Sequence, residues 1–241
     1  MLSLENVRFS VNTEAGKKEI LSGVSFTVDS PFTVITGPNG GGKSTIAKLI
    51  SGIYTPDSGR IVFNGEDITG LSVTQRAKAG ISYAFQTPVR FKGITVSDLL
   101  NVASGRTLSV VEACDFLSSV GLCARDYLDR EVNASLSGGE LKRIEIATVL
   151  ARKTPFAVFD EPEAGIDLWS FASLIRVFEN VREQINGNIV IISHQERILN
   201  IADRIVVISG GKVDRAGTKE EILPTLFGQD SACSVLKGKM D

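Results

Sequence analysis

The chain has 241 residues, 43% of them hydrophobic and 22% charged, which is enough to fill one large core or a core with a subdomain and too apolar for a disordered chain. Lys and Arg number 26 against 28 Asp and Glu, so no basic excess is available for a nucleic-acid backbone, and one histidine excludes a site built from several imidazoles. Cys114, Cys123 and Cys233 form no Cys-x-x-Cys pair and read as buried free thiols of a reducing compartment. The N-terminus lacks the charged-then-apolar pattern of a secretion signal, and no run of about 18 apolar residues occurs. The expectation is a cytoplasmic chain that does not insert into a membrane.

In chain order, LENVRFSV, GVSFTV and FTVIT are three short apolar runs separated by polar turns, and they predict strands. FTVIT ends at Thr36 and is followed by the Gly-rich loop GPNGGG (37–42). STIAKLISG then carries apolar residues at helical spacing, at 46, 49, 50 and 53. GRIVFNGED (59–67) predicts a strand and turn, and ISYAF (81–85) a short strand. From about 95 to 150 the pattern is helical, opened by a Thr95–Asp98 capping spacing, and predicts a helical subdomain inserted in an α/β chain. FAVFD (156–160) and NIVIIS (188–193) are nearly all apolar, as strands of a parallel sheet covered on both faces would be. A helix at about 168–185 lies between them, RIVVIS (204–209) and GKVDRAG (211–217) close the pattern, and none is evident after Phe227.

Gly37-Pro38-Asn39-Gly40-Gly41-Gly42-Lys43-Ser44 fits G-x-x-x-x-G-K-[ST] between a strand and a helix. Glycines let backbone N–H groups turn inward around phosphate oxygens, and the helix start aims its positive dipole end at the same anion. In that pattern Lys43 reaches the β- and γ-phosphates and the Ser44 hydroxyl binds Mg²⁺. Phe156–Asp160–Glu161 is an apolar strand ending in two carboxylates, at the strand end where parallel sheets bind ligands. Asp160 is placed to hold Mg²⁺ and Glu161 to polarise an attacking water, general-base help worth roughly 10²–10⁴ in rate. Ser137-Gly138-Gly139-Glu140 opens a helix with the spacing of a capping box. The paired glycines also suit a second anion site at a helix start. His194, at the end of NIVIIS, reads either as a core histidine or as a site residue.

Taken together these motifs resemble the ATP-binding-cassette (ABC) ATPase family across nearly the whole chain. GPNGGGKST, through Thr45, resembles the Walker A motif, LSGGE the signature, and FAVFDEP the Walker B motif with its catalytic glutamate. Gln86 resembles the Q-loop glutamine, Gly165-Ile166-Asp167 the D-loop, and His194 the switch histidine. The resemblance implies a P-loop NTPase core with a mostly parallel sheet (1–90 and 152–227), an N-terminal antiparallel β-subdomain, a helical subdomain (about 91–151) and a tail (228–241). It implies ATP and Mg²⁺ as cofactors, with Ser44, Gln86 and Asp160 toward the metal and Glu161, His194, Gln86 and Lys43 toward catalysis. It further implies a second copy of the chain as partner, two ATPs being sandwiched head-to-tail, with Ser137, Gly138 and Gly139 of one chain completing the site of the other. Glu161 and His194 are both present, which favours an active ATPase over a nucleotide-gated structural subunit. Where the family often carries an adenine-stacking aromatic this chain has Val11. Phe9 lies two residues earlier on the same strand face.

Four further segments are similar to the SufC branch, the ATPases of iron–sulfur cluster assembly: Ala84–Val89, Arg130–Asn133, Leu141–Arg143 and Ser193–Leu199. That similarity implies a SufB- or SufD-like scaffold as partner. Asp160-Glu161-Pro162 is closer to the transporter pattern, whose partner is a transmembrane permease subunit.

Overall fold

The computed structural model describes residues 1–227 apart from 15, 134, 167, 185 and 186. Asp167 and the tail with Cys233 lie outside the described residues.

Two sheets organise the fold. In the first, β1 (Leu2–Thr13), β2 (Gly16–Val28), β4 (Ser58–Phe63) and β5 (Glu66–Asp67) pair antiparallel in the order β2-β1-β4-β5. The hairpin runs through the predicted polar turn, so β1 and β2 are longer than their apolar cores. Asn64 (φ 52°) and Gly65 (φ 88°) make the left-handed two-residue turn that separates β4 from β5.

The second sheet has the order β10-β9-β3-β8-β7-β6, built from β3 (Phe32–Thr36), β6 (Ile81–Ala84), β7 (Phe156–Asp160), β8 (Asn188–Ile192), β9 (Arg204–Ser209) and β10 (Lys212–Thr218). All its pairs are parallel except β9–β10. Every residue of β3 and β7 is buried, which is why neither alternates with polar residues. Alternate side chains enter different cores. Val34, Phe159 and Ile191 pack with the helices, whereas Ile35, Val158 and Ile192 pack with α1 (Lys43–Ser51) and the first sheet. The parallel sheet therefore sits between two apolar layers with its strand ends held at one rim.

Between β6 and β7 lie α3 (Val96–Ser104), α4 (Val110–Ser119), α5 (Ala124–Tyr127) and α6 (Gly138–Arg152). The predicted Thr95–Asp98 cap is reciprocal: Asp98 N donates to Thr95 Oγ1 at 3.1 Å and Thr95 N to Asp98 Oδ2 at 3.0 Å. α7 (Leu168–Gln184) joins β7 to β8. Three short helices had no clear periodicity in the sequence: α2 (Val73–Lys78), α8 (Glu196–Asn200) and α9 (Lys219–Phe227). α2 is anchored by buried Arg76, whose guanidinium donates to Leu49 O and Ile50 O at the last turn of α1. The thiols depart from the expected burial, since Cys114 is half-buried and Cys123 exposed; Cys123 caps a one-turn helix on the surface.

Candidate nucleotide-binding site

β3 delivers the chain into the Gly-rich loop, and the loop turns by left-handed backbone at Gly37 (φ 133°), Gly40 (φ 76°) and Gly42 (φ 102°). At Gly37 a Cβ would sit 2.0 Å from the carbonyl oxygen of Ile208, so glycine is required by a close backbone approach. Gly42 caps α1 without any side-chain acceptor, which leaves the first-turn N–H groups of the helix for an anion. Lys43, 5% exposed, donates from Nζ to Gly37 O at 2.8 Å and Pro38 O at 3.0 Å, folding over the loop. Burial pulls its pKa down, opposed by the carboxylates of Glu161 and Asp160. The loop bounds an open cleft of about 490 Å³, lined by Lys18, Ile20, Asn39, Gly40, Gly42, Lys43, Ser44, Thr45, Gln86 and Glu161.

Asp160 ends β7, one strand beyond β8 from the loop's own strand, and points back to the loop. Its Oδ1 accepts from Ser44 Oγ at 3.0 Å and its Oδ2 from Tyr83 Oη at 2.9 Å. Burial raises the Asp160 carboxyl, opposed there by the hydrogen bonds from Tyr83 and Ser44; burial also pushes the Tyr83 phenol well up, and the charge of Asp160 and the hydrogen bond to it push it the same way. Glu161 has φ 44°, a left-handed conformation costing a non-glycine residue about 1–3 kcal/mol. Its N–H is fixed on Ile192 O at 3.0 Å, and its Oε2 accepts from Gln86 Nε2 at 2.5 Å. The Ser44 hydroxyl and Asp160 carboxylate are hard oxygen donors, the set that holds Mg²⁺ through one carboxylate with phosphate and water oxygens completing the shell. Among the described residues no group of three His, Cys, Asp or Glu side chains gathers to hold a metal by itself.

His194 is exposed just past β8, with Nε2 3.4 Å from Gln195 Nε2, and is absent from the lining of the cleft. Its turn is fixed from behind: Ser193 Oγ donates to Glu163 Oε1 at 2.5 Å and accepts from Gln195 N at 3.0 Å. Burial pushes the Glu163 carboxyl up.

The Ser137–Glu140 segment lies away from this cleft in the same chain. The capping box forms, with Glu140 N donating to Ser137 Oγ at 3.2 Å and Ser137 N to Glu140 Oε2 at 2.6 Å. Ser137 and Gly138 are nevertheless exposed. A Cβ at Gly138 would meet only Gly165 O at 3.5 Å, an ordinary contact, so packing within the chain does not explain its glycine. The structure thus brings Lys43, Ser44, Gln86, Asp160 and Glu161 together and leaves Ser137, Gly138, Gly139, Glu140 and His194 outside the cleft.

Phe9 is taken up by the core: its ring stacks on Tyr54 at 4.9 Å and 12°. Val11 packs partly buried on the same cluster. Across from them a register shift makes Ile20 an extra residue in β2, and Ile20 and Lys18 line the cleft instead. Sequence reasoning missed these two, together with Tyr83. The alternation of ISYAF places Tyr83 one face-step before Phe85 and offered the only sign of it.

A Gly-rich loop on a helix start, a lysine over it, and a serine–aspartate pair beside a glutamate form a candidate nucleoside-triphosphate site. The ABC transporter family model matches residues 21–164. An ABC transporter ATP-binding protein of Methanocaldococcus jannaschii is 39% identical over 216 residues, 86% of each chain. The probable ATP-dependent transporter ycf16 of Pyropia yezoensis is 33% identical over 220 residues, 84% of this chain and 87% of its own. A dimeric ATP-binding cassette in a post-hydrolysis state, bound to ADP and phosphate, shares the fold with a TM-score of 0.80 at 22% identity, covering 91% of this chain and 99% of that one. This chain belongs to the ABC transporter ATPase family: it is an ATP-binding ATPase with the P-loop NTPase fold. No helix among the described residues is long and apolar enough to cross a membrane.

Proposed function

We propose that the chain is the motor subunit of an ABC system, hydrolysing ATP in a site that two copies complete head-to-tail. The observation that carries this reading is the division just described. Lys43, Ser44, Gln86 and Glu161 line one cleft, with buried Asp160 bonded to Ser44 behind them, while Gly138 stands exposed outside it beside half-buried Gly139 and has no packing use in its own chain. When ATP enters, Lys43 exchanges the carbonyls of Gly37 and Pro38 for phosphate oxygens, and the bare first turn of α1 donates to them. Ser44 and Asp160 hold Mg²⁺, which neutralises phosphate charge when bound. Glu161 is placed to orient water but is occupied by Gln86, so the Gln86–Glu161 hydrogen bond must open for hydrolysis. His194 and Ser137–Gly139 complete the site on closure, His194 from its own chain and the glycines from the other.

The residues flanking Gln86 border a second surface. Phe85 and Val89, both exposed, line a groove of about 160 Å³ with Leu99, Leu141 and Ile144. A partner pressing on Phe85 displaces the neighbouring Gln86. The relatives' names favour a transporter's membrane subunit in that place. The second reading, a SufB/SufD-like scaffold, rests on Ala84–Val89, Arg130–Asn133, Leu141–Arg143 and Ser193–Leu199; the first three border the groove and the fourth carries the His194 turn. An anaerobic affinity capture from native extract, with and without ATP, decides between them. A polytopic membrane protein supports the transporter reading, whereas a scaffold carrying iron and sulfide supports assembly. Capture of neither in either nucleotide state contradicts a motor role.

A further inference from the structure

α6 does more than present Ser137 and Gly138 at its first turn. In its second turn Lys142 and Glu145 form an ion pair at 3.3 Å, the lysine side chain only 2% exposed and the glutamate 15%. Both reach the backbone of one residue outside the helix. Glu145 Oε1 accepts from Phe85 N at 2.8 Å, and Lys142 Nζ donates to Phe85 O. Phe85 lies just beyond Ala84, the last residue of the edge strand β6 paired with β7, so no strand partner serves its N–H and C=O. Hydrogen bonds from or to a charged group are shorter and stronger than neutral ones, and two bonds to one residue's backbone fix both its position and its direction. The residue after Phe85 is Gln86, which occupies Glu161. Neither Lys142 nor Glu145 touches the ATP cleft.

We infer that the Lys142–Glu145 clamp on Phe85 couples the two ATP sites of the head-to-tail pair. The inference rests on the pairing reading proposed above. In such a pair the start of α6 meets the ATP held by the other copy, and the clamp carries any shift of that helix to Phe85 and Gln86 of its own site. Nucleotide bound at one site then sets whether Gln86 frees Glu161 at the other. Lys142 and Glu145 act as positioning residues, through Gln86.

The test compares the full chain with a Lys142→Met/Glu145→Leu double variant, in which both charges are removed so that neither is left buried alone. Steady-state hydrolysis is followed against ATP concentration, ATP affinity of the monomer by calorimetry, and association by sedimentation with Mg–ATP. The native chain should give a Hill coefficient approaching about two, the number of sites. The double variant should give about one, with association and monomer affinity unchanged. Lys142→Met/Glu145→Gln, which likewise leaves no charge buried alone but keeps an acceptor for the Phe85 N–H, should restore most of the cooperativity, a rescue that a merely structural role would not show. A Lys142→Met/Glu145→Leu chain that folds, associates and remains as cooperative as the native chain overturns the clamp, as does a native pair without cooperativity. A native chain that binds ATP and never associates instead overturns the pairing reading.

Discussion

Alanine scanning of the loop glycines separates backbone strain from contact and is worked directly from geometry. At Gly40 a Cβ meets nothing within 4 Å, so Gly40→Ala carries only the left-handed cost at φ 76°, about 1 kcal/mol. At Gly42 the new Cβ lies 2.5 Å from Leu21 Cδ2, the far end of a side chain able to move, and the effect should be intermediate. At Gly37 it lies 2.0 Å from Ile208 O and 3.0 Å from Ile208 C, backbone of β9 that cannot yield without opening the sheet. The loop must leave its phosphate-binding geometry, at a cost of at least about 3 kcal/mol. Because binding requires that geometry, its depopulation appears in the affinity. Mg–ATP affinity measured by calorimetry should fall about fivefold in Gly40→Ala and more than about a hundredfold in Gly37→Ala. Thermal melts confirm that each variant folds. Equal affinity in the Gly37 and Gly40 variants would refute the reasoning.

Three further outcomes are expected. Lys43→Ala should abolish detectable ATP binding and Ser137→Ala should spare binding but stop hydrolysis, yet a mixture of the two should regain partial turnover; no regain means that the sites are not shared. Tyr83→Phe removes one of the two hydrogen bonds on Asp160, an interaction with a charged group worth about 1.5–3 kcal/mol. The Mg²⁺ concentration for half-maximal hydrolysis should rise about tenfold with the fold intact, and an unmoved midpoint excludes Tyr83 from holding Asp160. Glu112, bonded to Arg106 and capping α4 from Ser109, is held down to about 2, below the ordinary carboxylate of about 4.3. Its charged form is favoured by folding, so its stabilisation is full above about 4.3 and lost as pH falls toward about 2. The melting difference between the native chain and Glu112→Gln should be small at pH 7 and vanish across that window. A difference that grows toward low pH would contradict the sign.

The sheet was legible because its strands are nearly pure apolar runs, and the loop because strand, glycines and lysine must follow one another in sequence. The site was legible only as far as each motif is local. Lys43 and Ser44 open the helix after β3, and Asp160 and Glu161 lie at and just past the end of β7, so their meeting follows from the parallel sheet bringing strand ends to one rim. Tyr83, Glu145 and Glu163 act over long sequence separations from within ordinary-looking segments, and nothing local marks a tyrosine that bonds an aspartate 77 residues away. Ile20 reached the cleft only through a register shift in β2, which alternation cannot reveal. Lys142 looks like any helix lysine until the fold buries it against Phe85.

The shared site is tested most directly by weighing the chain with its nucleotide. In Glu161→Gln, where ATP is bound but not consumed, sedimentation in Mg–ATP should show twice the chain mass of 25.9 kDa, and adding Ser137→Arg should return it to one chain while ATP remains bound. A Glu161→Gln chain saturated with ATP that still sediments as a single copy, or a dimer indifferent to Ser137→Arg, would contradict a site built from two chains.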